Sequence, residues 1–232
     1  MAVQSRTEAR KEQIIGAAEK VFARKGFSNS TISEIAQGAG LSDATIYEYF
    51  SSKEELLFSV PLETIRTAYE DLRGHLKFIR GAANKLRGII YGYLSFYQGH
   101  PGFASILMLI LKHNRKFLET EAYQLMRQQS RVIIQVVEEG IASGEFKSDT
   151  DPNLVRAVVL GTIEHTVIKW LLFGKPEDLE AMTDSLSDLT VDGIRKDNRL
   201  KNIKLNVVFD ENAEGEFTDN CYRKGLIPRI EG

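Results

Sequence analysis

The stretch that decides the fold runs TISEIAQGAGLSDATIYEYF and occupies residues 31–50. Its first residue is a good helix N-cap, and Glu34 three residues later completes a capping box, which predicts a short helix over 32–38. Glycines end that helix, and Ser42 is placed to cap a second short helix over 43–50. Two short helices joined by a tight turn that contains glycine form a helix-turn-helix unit.

A helix-turn-helix unit places its second helix in the major groove of DNA, with the N-terminal residues of that helix nearest the base edges. Ala44 and Thr45 lie there and suit contacts to bases. The hydroxyls of Tyr47 and Tyr49 suit phosphate oxygens, as do the N-terminus of the first helix and the ammonium of Lys53. Double-stranded operator DNA is therefore the expected partner, and the residues predicted to contact it are Thr31, Ser33, Ser42, Asp43, Ala44, Thr45, Tyr47, Tyr49 and Lys53.

Apolar residues recur at helical spacing on both sides of this unit. Upstream, the pattern predicts a helix that Ser5 or Thr7 caps and Gly26 ends. Downstream, a helix begins at Lys53 and meets Pro61, which either kinks it or restarts it. Further amphipathic helices are predicted at about 62–79, 83–98, 102–112, 117–143, 153–173 and 177–195.

The predicted fold class is therefore all-α, with two domains and a tail. A three-helix DNA-binding domain occupies residues 1–52, with the helix-turn-helix unit at about 30–50, and a helical domain occupies residues 53–195. Residues 196–232 form a separate segment, in which apolar residues between 203 and 209 alternate with polar ones at the period of a strand. This tail is predicted to be a short strand or hairpin, or to be irregular.

Composition excludes several other classes of protein. The chain has 232 residues, 43% of them hydrophobic, and a formal net charge of −2, as is ordinary for a globular protein. The single cysteine, Cys221, cannot form a disulfide within the chain, which fits a reducing cytosol. The apolar run at 103–111 is too short to cross a bilayer, and the N-terminus has no apolar signal region. The expected location is the cytoplasm, with no membrane partner.

The helix-turn-helix unit resembles the DNA-binding domain of the tetracycline-repressor (TetR) family of transcription regulators. The run IYEYF at residues 46–50, followed by Lys53 and Glu54, is a specific part of the resemblance, which covers residues 8–60. Ala44 departs from the glycine that the family usually has there, so the local base contacts should differ. The resemblance implies that the remaining helices bind a ligand and form a dimer.

The second half contains enough apolar residues for a ligand cavity between helices. The run at 103–111 is almost entirely apolar, and such a helix must be buried. The aromatic residues and methionines that could line a cavity are Phe96, Tyr97, Phe103, Met108, Tyr123 and Met126. The alternative is that these residues fill an ordinary core, as methionines and aromatic residues often do.

This half resembles, more loosely, one branch of the family, the repressors of fatty-acid degradation that respond to long-chain acyl-CoA. The matching segments are residues 140–146 and 161–167, together with Trp170. The resemblance implies a small apolar effector such as an acyl-CoA, with its chain among Phe96, Phe103, Leu107, Met108, Leu111 and Trp170. Lys112, His113 and Arg115 could meet the CoA phosphates, or they form a solvated helix end.

The helix predicted over 153–173 carries two small residues, Ala157 and Gly161, that permit close approach of another helix. With 177–195 it could pack against its copy in a two-fold bundle, so we expect a homodimer through about 153–195. A dimer also suits a palindromic operator. Ligand in the cavity would then shift the helix that begins at Lys53 and alter the spacing of the two DNA-binding domains.

Two alternatives stand beside this hypothesis. Glu164 and His165 could act as acid and base in an enzyme, but the sequence has no Gly-rich phosphate loop, nucleophile elbow or metal-ligand spacing. We therefore predict no catalytic residue, no metal and no cofactor. The acidic residues Asp43 and Glu48 on the recognition helix raise the second alternative, an adaptor that has lost DNA binding.

Overall fold

The described part of the chain is built from α-helices, as the sequence predicted. The computed structural model describes the backbone of residues 2–196 and the side chains of residues 6–62 and 64–196. Within those residues the only strand-like pairing is an isolated antiparallel bridge between Phe146 and Arg195. The strand or hairpin predicted in the tail and the single cysteine, Cys221, lie outside the described residues.

Ten α-helices follow one another in the described residues, with shorter helical turns between some of them. They are α1 (Ala2–Lys25), α2 (Ile32–Ala39), α3 (Asp43–Tyr49), α4 (Lys53–Leu76), α5 (Ala82–Gly99), α6 (Pro101–Ser105), α7 (Glu121–Gln129), α8 (Arg131–Ala142), α9 (Pro152–Phe173) and α10 (Thr183–Ile194). A π-helical turn (Ile106–Ile110) and two 3₁₀ turns (Leu111–His113 and Arg115–Glu119) connect α6 to α7, and a third 3₁₀ turn (Glu180–Met182) precedes α10.

Helices α1 to α3 form the predicted three-helix unit around a small core. Ile35 and Ile46 are completely buried where α2 and α3 cross. α2 ends at Gly40, whose φ of 65° lies in the left-handed region that glycine adopts without strain. α1 begins before both of the residues predicted to cap it, Ser5 and Thr7.

The C-terminal helices are more divided than the periodicity predicted. The helix predicted over 117–143 is two helices that meet at Ser130. The hydroxyl of Ser130 donates a hydrogen bond of 2.7 Å to the Arg127 carbonyl and so competes with the helical backbone bonds. The helix predicted over 102–112 is α6 followed by a π turn and a 3₁₀ turn. These turns alter the direction of the side chains that follow them.

α4 joins the DNA-binding unit to the rest of the described chain. It runs past Pro61 as one helix, so the proline does not restart it. Because proline has no backbone N–H, the carbonyl of Leu57 lacks its usual helical hydrogen bond at this point. Pro61 itself is buried. A single helix therefore leads from the DNA-binding unit to the cavity walls described below.

The loop after α8 holds α5 in place. The carboxylate of Glu145 accepts hydrogen bonds from the backbone N–H groups of Ala82 (2.7 Å) and Ala83 (3.1 Å) at the start of α5. A negative charge is favourable at this end of a helix. Next to it, Phe146 packs so closely on Gly140 that a Cβ there would lie 2.1 Å from the ring. These contacts position the helix that supplies the aromatic walls of the cavities.

Candidate functional site

The recognition helix α3 presents a mixed face to solvent. Ile46 is completely buried and anchors the helix, while Tyr49 is half-buried against the core. Tyr47 has 55% of its surface exposed, so its hydroxyl is free to approach DNA. The exposed or half-exposed side chains of this face are Ala44, Thr45, Tyr47 and Glu48.

Side-chain hydrogen bonds order the turn between α2 and α3. The Oγ of Ser42 accepts a bond from the Thr45 N–H at 3.2 Å and lies 2.9 Å from the Thr45 Oγ1, which caps α3 as predicted. The hydroxyl of Ser33, in α2, donates to the carboxylate of Asp43, in α3. Of the residues that we predicted to contact DNA, Ser33 and Asp43 therefore also join the two helices, and Ser42 caps the second one.

The predicted capping box of α2 is present. The Oγ1 of Thr31 accepts a hydrogen bond from the Glu34 N–H at 3.2 Å, and the Thr31 N–H donates to the Glu34 carboxylate at 3.1 Å. Lys25, at the end of α1, also binds this carboxylate. The bond from Lys25 is the main reason that the pKa of Glu34 is lowered. Thr31 thus orders the helix N-terminus that we expect to face a phosphate.

Lys53 has a structural role that sequence reasoning missed. Its ammonium donates hydrogen bonds to the carbonyl oxygens of Phe27 (2.8 Å) and Ser30 (2.7 Å). It also lies 4.5 Å from the centre of the Phe27 ring, a cation–π distance. Two of its three N–H groups are therefore used by the loop between α1 and α2. The predicted contact of Lys53 with a DNA phosphate stays a prediction. It would use the third N–H group of the ammonium.

The large cavity, of about 340 Å³, lies between α5, α7, α9 and the turns that follow α6. Its walls are mainly aromatic and apolar, with a few polar groups among them. This combination is typical of ligand sites in helical proteins. The residues that line it are Tyr93, Tyr97, Met108, Lys112, Leu118, Tyr123, Met126, Arg127, Ser130, Leu160, Ile163 and Glu164.

The small cavity, of about 70 Å³, lies beside the large one and shares Tyr93, Tyr97 and Met126 with it. Gln129 is buried at its wall, and its Nε2 donates a hydrogen bond of 3.0 Å to the Ile65 carbonyl. Its lining is almost entirely apolar. The residues that line it are Ile65, Ala68, Tyr69, Leu72, Gly92, Tyr93, Phe96, Tyr97, Phe103, Leu107, Met126 and Gln129.

Five of the residues predicted to bind an effector lie in these walls. Met108 and Lys112 line the large cavity, and Phe96, Phe103 and Leu107 line the small one. All six of the aromatic residues and methionines proposed from sequence as cavity walls line one cavity or the other. The empty volume favours a cavity over a completely filled core at this position.

Four other predicted effector residues line neither cavity, namely Leu111, His113, Arg115 and Trp170. Leu111 is completely buried in the core, whereas His113 and Arg115 are exposed. Trp170 is half-buried and packs against the core. Leu111, His113 and Arg115 lie in the 3₁₀ turns that follow the π turn, where side chains do not keep the directions of a regular α-helix.

The charged groups of the large cavity are partly paired. Lys112 forms an ion pair with Glu164 across the wall, so its charge is largely balanced before any ligand arrives. His165, the next residue, is exposed, so the two members of the acid–base alternative have different surroundings.

Among the described residues, no group of three or more His, Cys, Asp or Glu side chains could hold a metal. No helix among them is long and apolar enough to span a membrane.

Two tyrosines lie in the wall that the cavities share, Tyr97 buried and Tyr93 partly buried. Burial raises the pKa of Tyr93 to about 12 and raises that of Tyr97 still further above its ordinary value. Their rings stack at 6.3 Å between centres. Both hydroxyls therefore stay protonated at neutral pH.

A basic groove of about 560 Å³ meets the large cavity at Arg127, which lines both. Its other residues are Gln124, Gln128, Arg131, Ile134, Asn153 and Arg156, with no acidic residue among them. Guanidinium groups bind phosphates through paired hydrogen bonds. Sequence reasoning missed the groove because three separate helices, α7, α8 and α9, each supply one arginine. Only the spacing of four between Arg127 and Arg131 was a local signal.

α9 carries several exposed apolar side chains, and α10 adds one, Leu189. Phe173 and Leu189 have 72% and 79% of their surfaces exposed, and Leu154, Val158 and Leu172 of α9 are also exposed. A Cβ on Gly161 would meet no atom within 4 Å, so another helix could approach closely there. Apolar surface of this kind commonly marks a protein–protein contact.

Comparisons with known proteins identify the family. The sequence pattern of bacterial regulatory proteins of the tetR family matches residues 14–60, and that of the C-terminal region of YsiA-like proteins matches residues 63–193. The chain is 34% identical over 182 residues to the fatty acid metabolism regulator protein of Bacillus subtilis (strain 168), covering 78% of this chain and 94% of that protein. The chain belongs to the TetR family.

Further TetR-family relatives have the same arrangement. The repressor NicS of Pseudomonas putida is 30% identical over 205 residues, covering 80% of this chain and 92% of its own. The crystal structure of FadR from Bacillus subtilis in complex with stearoyl-CoA superposes with a TM-score of 0.73 at 33% identity, covering 79% of this chain and 99% of that one. The structure of FadR from Bacillus halodurans superposes with a TM-score of 0.72 at 25% identity, covering 78% of this chain and 94% of that one.

This TetR-family chain is a DNA-binding transcription regulator, as the helix-turn-helix residues predicted. The looser resemblance to regulators of fatty-acid degradation is also confirmed, because relatives of that kind match most of its length. Those relatives favour a regulator over both alternatives considered from sequence, the enzyme and the adaptor.

Proposed function

We propose that this regulator is a cytoplasmic repressor that a fatty acyl-CoA releases from its operator. The observation that carries the proposal is the meeting of an apolar cavity with a groove of three arginines at Arg127. An acyl-CoA has the same two parts, an apolar chain and a head group rich in phosphate. FadR from Bacillus subtilis, solved with stearoyl-CoA, supports this class of ligand.

The acyl chain lies in the large cavity and the CoA phosphates lie in the basic groove. Burial of the chain contributes about 0.8 kcal/mol for each methylene group removed from water. Arg127, Arg131 and Arg156 are better phosphate partners than the segment 112–115, which we first expected to serve. Lys112 is already paired with Glu164, whereas the groove contains no acidic side chain.

The DNA-binding state is a homodimer that contacts double-stranded operator DNA with two copies of α3. The exposed apolar residues of α9 and α10 support an interface through about 153–195. Each copy contacts bases near Ala44 and Thr45, and phosphates near Thr31 and Tyr47. The other predicted contacts, from Ser33, Ser42, Asp43, Tyr49 and Lys53, belong to the same surface.

The proposal is tested with the purified full-length protein and a DNA fragment that it selects from a genomic library. Fluorescence anisotropy gives the operator Kd in the presence of palmitoyl-CoA, palmitate or CoA. We expect palmitoyl-CoA to raise the operator Kd, and neither of its two parts to do so at the same concentration. A palmitoyl-CoA that does not bind, or that binds without changing the operator Kd, would show that the proposal is wrong.

Two substitutions distinguish the possible phosphate sites. Arg131→Gln removes a charge from the basic groove, and Arg115→Gln is the matched control in the segment that we first predicted. We expect Arg131→Gln to weaken palmitoyl-CoA binding by about tenfold, the range of one charge-assisted hydrogen bond. Arg115→Gln should leave it unchanged. If Arg115→Gln weakened binding and Arg131→Gln did not, the phosphates would bind at the segment 112–115 instead.

A further inference from the structure

The outer side of α3 lies opposite Ile46, the completely buried residue that anchors the helix. An α-helix turns by about 100° per residue, so Ala44 and Glu48, two residues before and after Ile46, each lie about 160° from it. Both side chains are exposed. Ala44 and Glu48 therefore form the centre of the outer side of α3, which faces the base edges when the helix lies in the major groove.

The polar side chains next to these two residues are already engaged within the protein. The carboxylate of Asp43 accepts a hydrogen bond from the Ser33 hydroxyl. The Thr45 Oγ1 lies 2.9 Å from the Ser42 Oγ, which also accepts a bond from the Thr45 N–H. One of these two hydroxyls donates to the other, so the pair has a single O–H left for a base. Base recognition by α3 therefore depends mainly on Ala44 and Glu48.

α3 has no side chain of the types that recognise a purine through two hydrogen bonds. Guanine presents two acceptors in the major groove, which arginine or lysine satisfies, and adenine presents an acceptor beside a donor, which asparagine or glutamine matches. None of these four residue types occurs between Ser42 and Phe50. A serine or threonine hydroxyl bonds to several bases and therefore specifies none of them.

Ala44 presents a methyl group to the groove and no polar side-chain atom. Thymine carries a methyl group at the surface of the major groove, and an alanine methyl makes an apolar contact with it. This contact removes apolar surface from water, which is favourable. Thymine is therefore the base that fits Ala44.

Glu48 presents only hydrogen-bond acceptors, because an ionised carboxylate accepts and does not donate. It is unfavourable beside the N7 and O6 acceptors of guanine and beside the N7 acceptor of adenine. Cytosine instead presents a single donor in the major groove, its N4 amino group, which a glutamate can bind. Cytosine is therefore the base that fits Glu48.

We propose that α3 selects its operator half-site through the methyl group of a thymine, at Ala44, and the amino group of a cytosine, at Glu48. The two residues lie about 6 Å apart along the helix axis, and base pairs lie about 3.4 Å apart, so the two bases are within about two or three base pairs of each other. This inference rests on the operator binding in the proposed function and adds the bases that select the operator.

The first test replaces thymine by uracil, which removes only the methyl group. Each thymine of the selected operator is replaced in turn, at the same position of both half-sites, and anisotropy gives the operator Kd of the wild-type protein. We expect one position at which uracil raises the Kd about fifteenfold, from about fourfold in each half-site, which corresponds to about 0.8 kcal/mol for one buried apolar carbon. The other thymines should have little effect.

Ala44→Gly should abolish this dependence on thymine, because glycine has no methyl group to contact that of the base. Its operator Kd should be the same with thymine and with uracil. Ala9→Gly, an exposed change on α1, is the matched control and should keep the wild-type dependence. Urea unfolding checks that both variants fold, and the uracil scan of the wild type needs neither of them. An Ala44→Gly protein that distinguishes thymine from uracil as the wild type does overturns the inference.

Glu48→Gln exchanges the carboxylate for an amide, which matches adenine. Replacement of each C·G pair of the half-site by A·T identifies the position that depends on residue 48. We expect the wild type to bind the cytosine operator about tenfold more tightly than the adenine operator, and Glu48→Gln to reverse this order. Glu8→Gln, exposed on α1, is the control and should keep the wild-type order. An unchanged order in Glu48→Gln overturns the inference.

The outcomes distinguish the inference from the proposed function on which it rests. A selected operator whose Kd is the same with every uracil overturns the inference and leaves the proposed function standing. If the wild-type protein selects no DNA fragment at all, the proposed function is wrong and the inference is wrong with it.

Discussion

The ammonium of Lys53 lies 2.8 Å from the carbonyl oxygen of Phe27 and 4.5 Å from the centre of the Phe27 ring. With a second hydrogen bond, to the Ser30 carbonyl, it holds the first turn of α4 against the loop between α1 and α2. A displacement of α4 is therefore a displacement of the DNA-binding unit as well. The same contacts make Lys53 part of the stability of that unit.

Lys53→Met should lower both the stability and the operator affinity. Two carbonyl groups lose a charged donor, which costs about 1–3 kcal/mol in the free energy of unfolding. Urea unfolding measures this, and anisotropy at several salt concentrations measures the operator affinity. If Lys53 served only as a phosphate contact, the urea midpoint would stay constant and the salt slope would decrease by about one.

Tyr47→Ala should weaken operator binding without destabilising the protein. The Tyr47 side chain is 55% exposed on α3, so few contacts within the fold are lost. Loss of one phosphate or base contact costs about 1–3 kcal/mol, so the operator Kd should rise by about tenfold or more. Tyr91→Ala is a matched control, because Tyr91 is 49% exposed on α5. Equal operator affinities for the two variants would show that Tyr47 does not contact DNA.

Phe173→Asp should dissociate the dimer. Phe173 is 72% exposed at the end of α9, and a carboxylate there would be buried without a partner in an interface. Sedimentation velocity should show a dimer for the wild type and a monomer for the variant. Phe78→Asp is the control, since Phe78 is exposed outside α9 and α10. A variant that remains dimeric at micromolar concentration would place the interface elsewhere.

Lys116 and Glu54 form an ion pair of 2.7 Å between the turn beside the large cavity and the first turn of α4. Both side chains are partly exposed, so the pair contributes only about 0–1 kcal/mol to stability. We expect Lys116→Glu to reduce the effect of palmitoyl-CoA on the operator Kd. The exchange of both charges, with Glu54→Lys added, should restore it. A double variant no better than the single one would exclude this pair from the coupling.

Acid should destabilise the DNA-binding unit through Glu34 and Glu55. Hydrogen bonds from Lys25 to Glu34, and from Ser51 to Glu55, lower both pKa values from 4.5. Such a carboxylate stabilises the fold above its unfolded pKa, and this contribution is lost as pH falls through the folded pKa. As the pH falls below 4.5, the free energy of unfolding should therefore decrease less for Glu34→Gln than for the wild type. Urea unfolding at several pH values measures this difference. Glu138→Gln, an exposed change on α8, should follow the wild type.

The sequence predicted best what depends on neighbouring residues. The capping box of Thr31, the cap at Ser42 and the left-handed Gly26 after α1 all follow from local hydrogen bonding and backbone freedom. The break at Ser130 was missed, because the apolar period continues through it while the hydroxyl binds the preceding turn. The burial of the segment 103–111 was also predictable, because this segment has no polar face.

The cavity walls were predictable only in part. Phe103 and Met108 are large apolar residues of a buried helix and had to face other helices. Arg115 was proposed because arginine is a usual partner of phosphate, and this property of the residue type does not show where the side chain lies after the π turn at Ile106–Ile110. The groove depends on Arg131 and Arg156, which come together only when α8 packs on α9. Such long-range proximity is absent from the local pattern of any one segment.

Pro61 lies at the joint between the two matched sequence patterns, which end at residue 60 and begin at residue 63. Most proteins connect modules by a linker, whose free torsions absorb relative rotation. Here the joint is inside a continuous helix, so a rotation of one module has to become a bend or twist of α4. A proline at that place lowers the stiffness of the helix where bending is required while keeping both halves in register. Lengthening α4 by one residue beside Pro61 would therefore turn the recognition helix by about 100°, the rotation per residue of an α-helix, and misalign it on the operator.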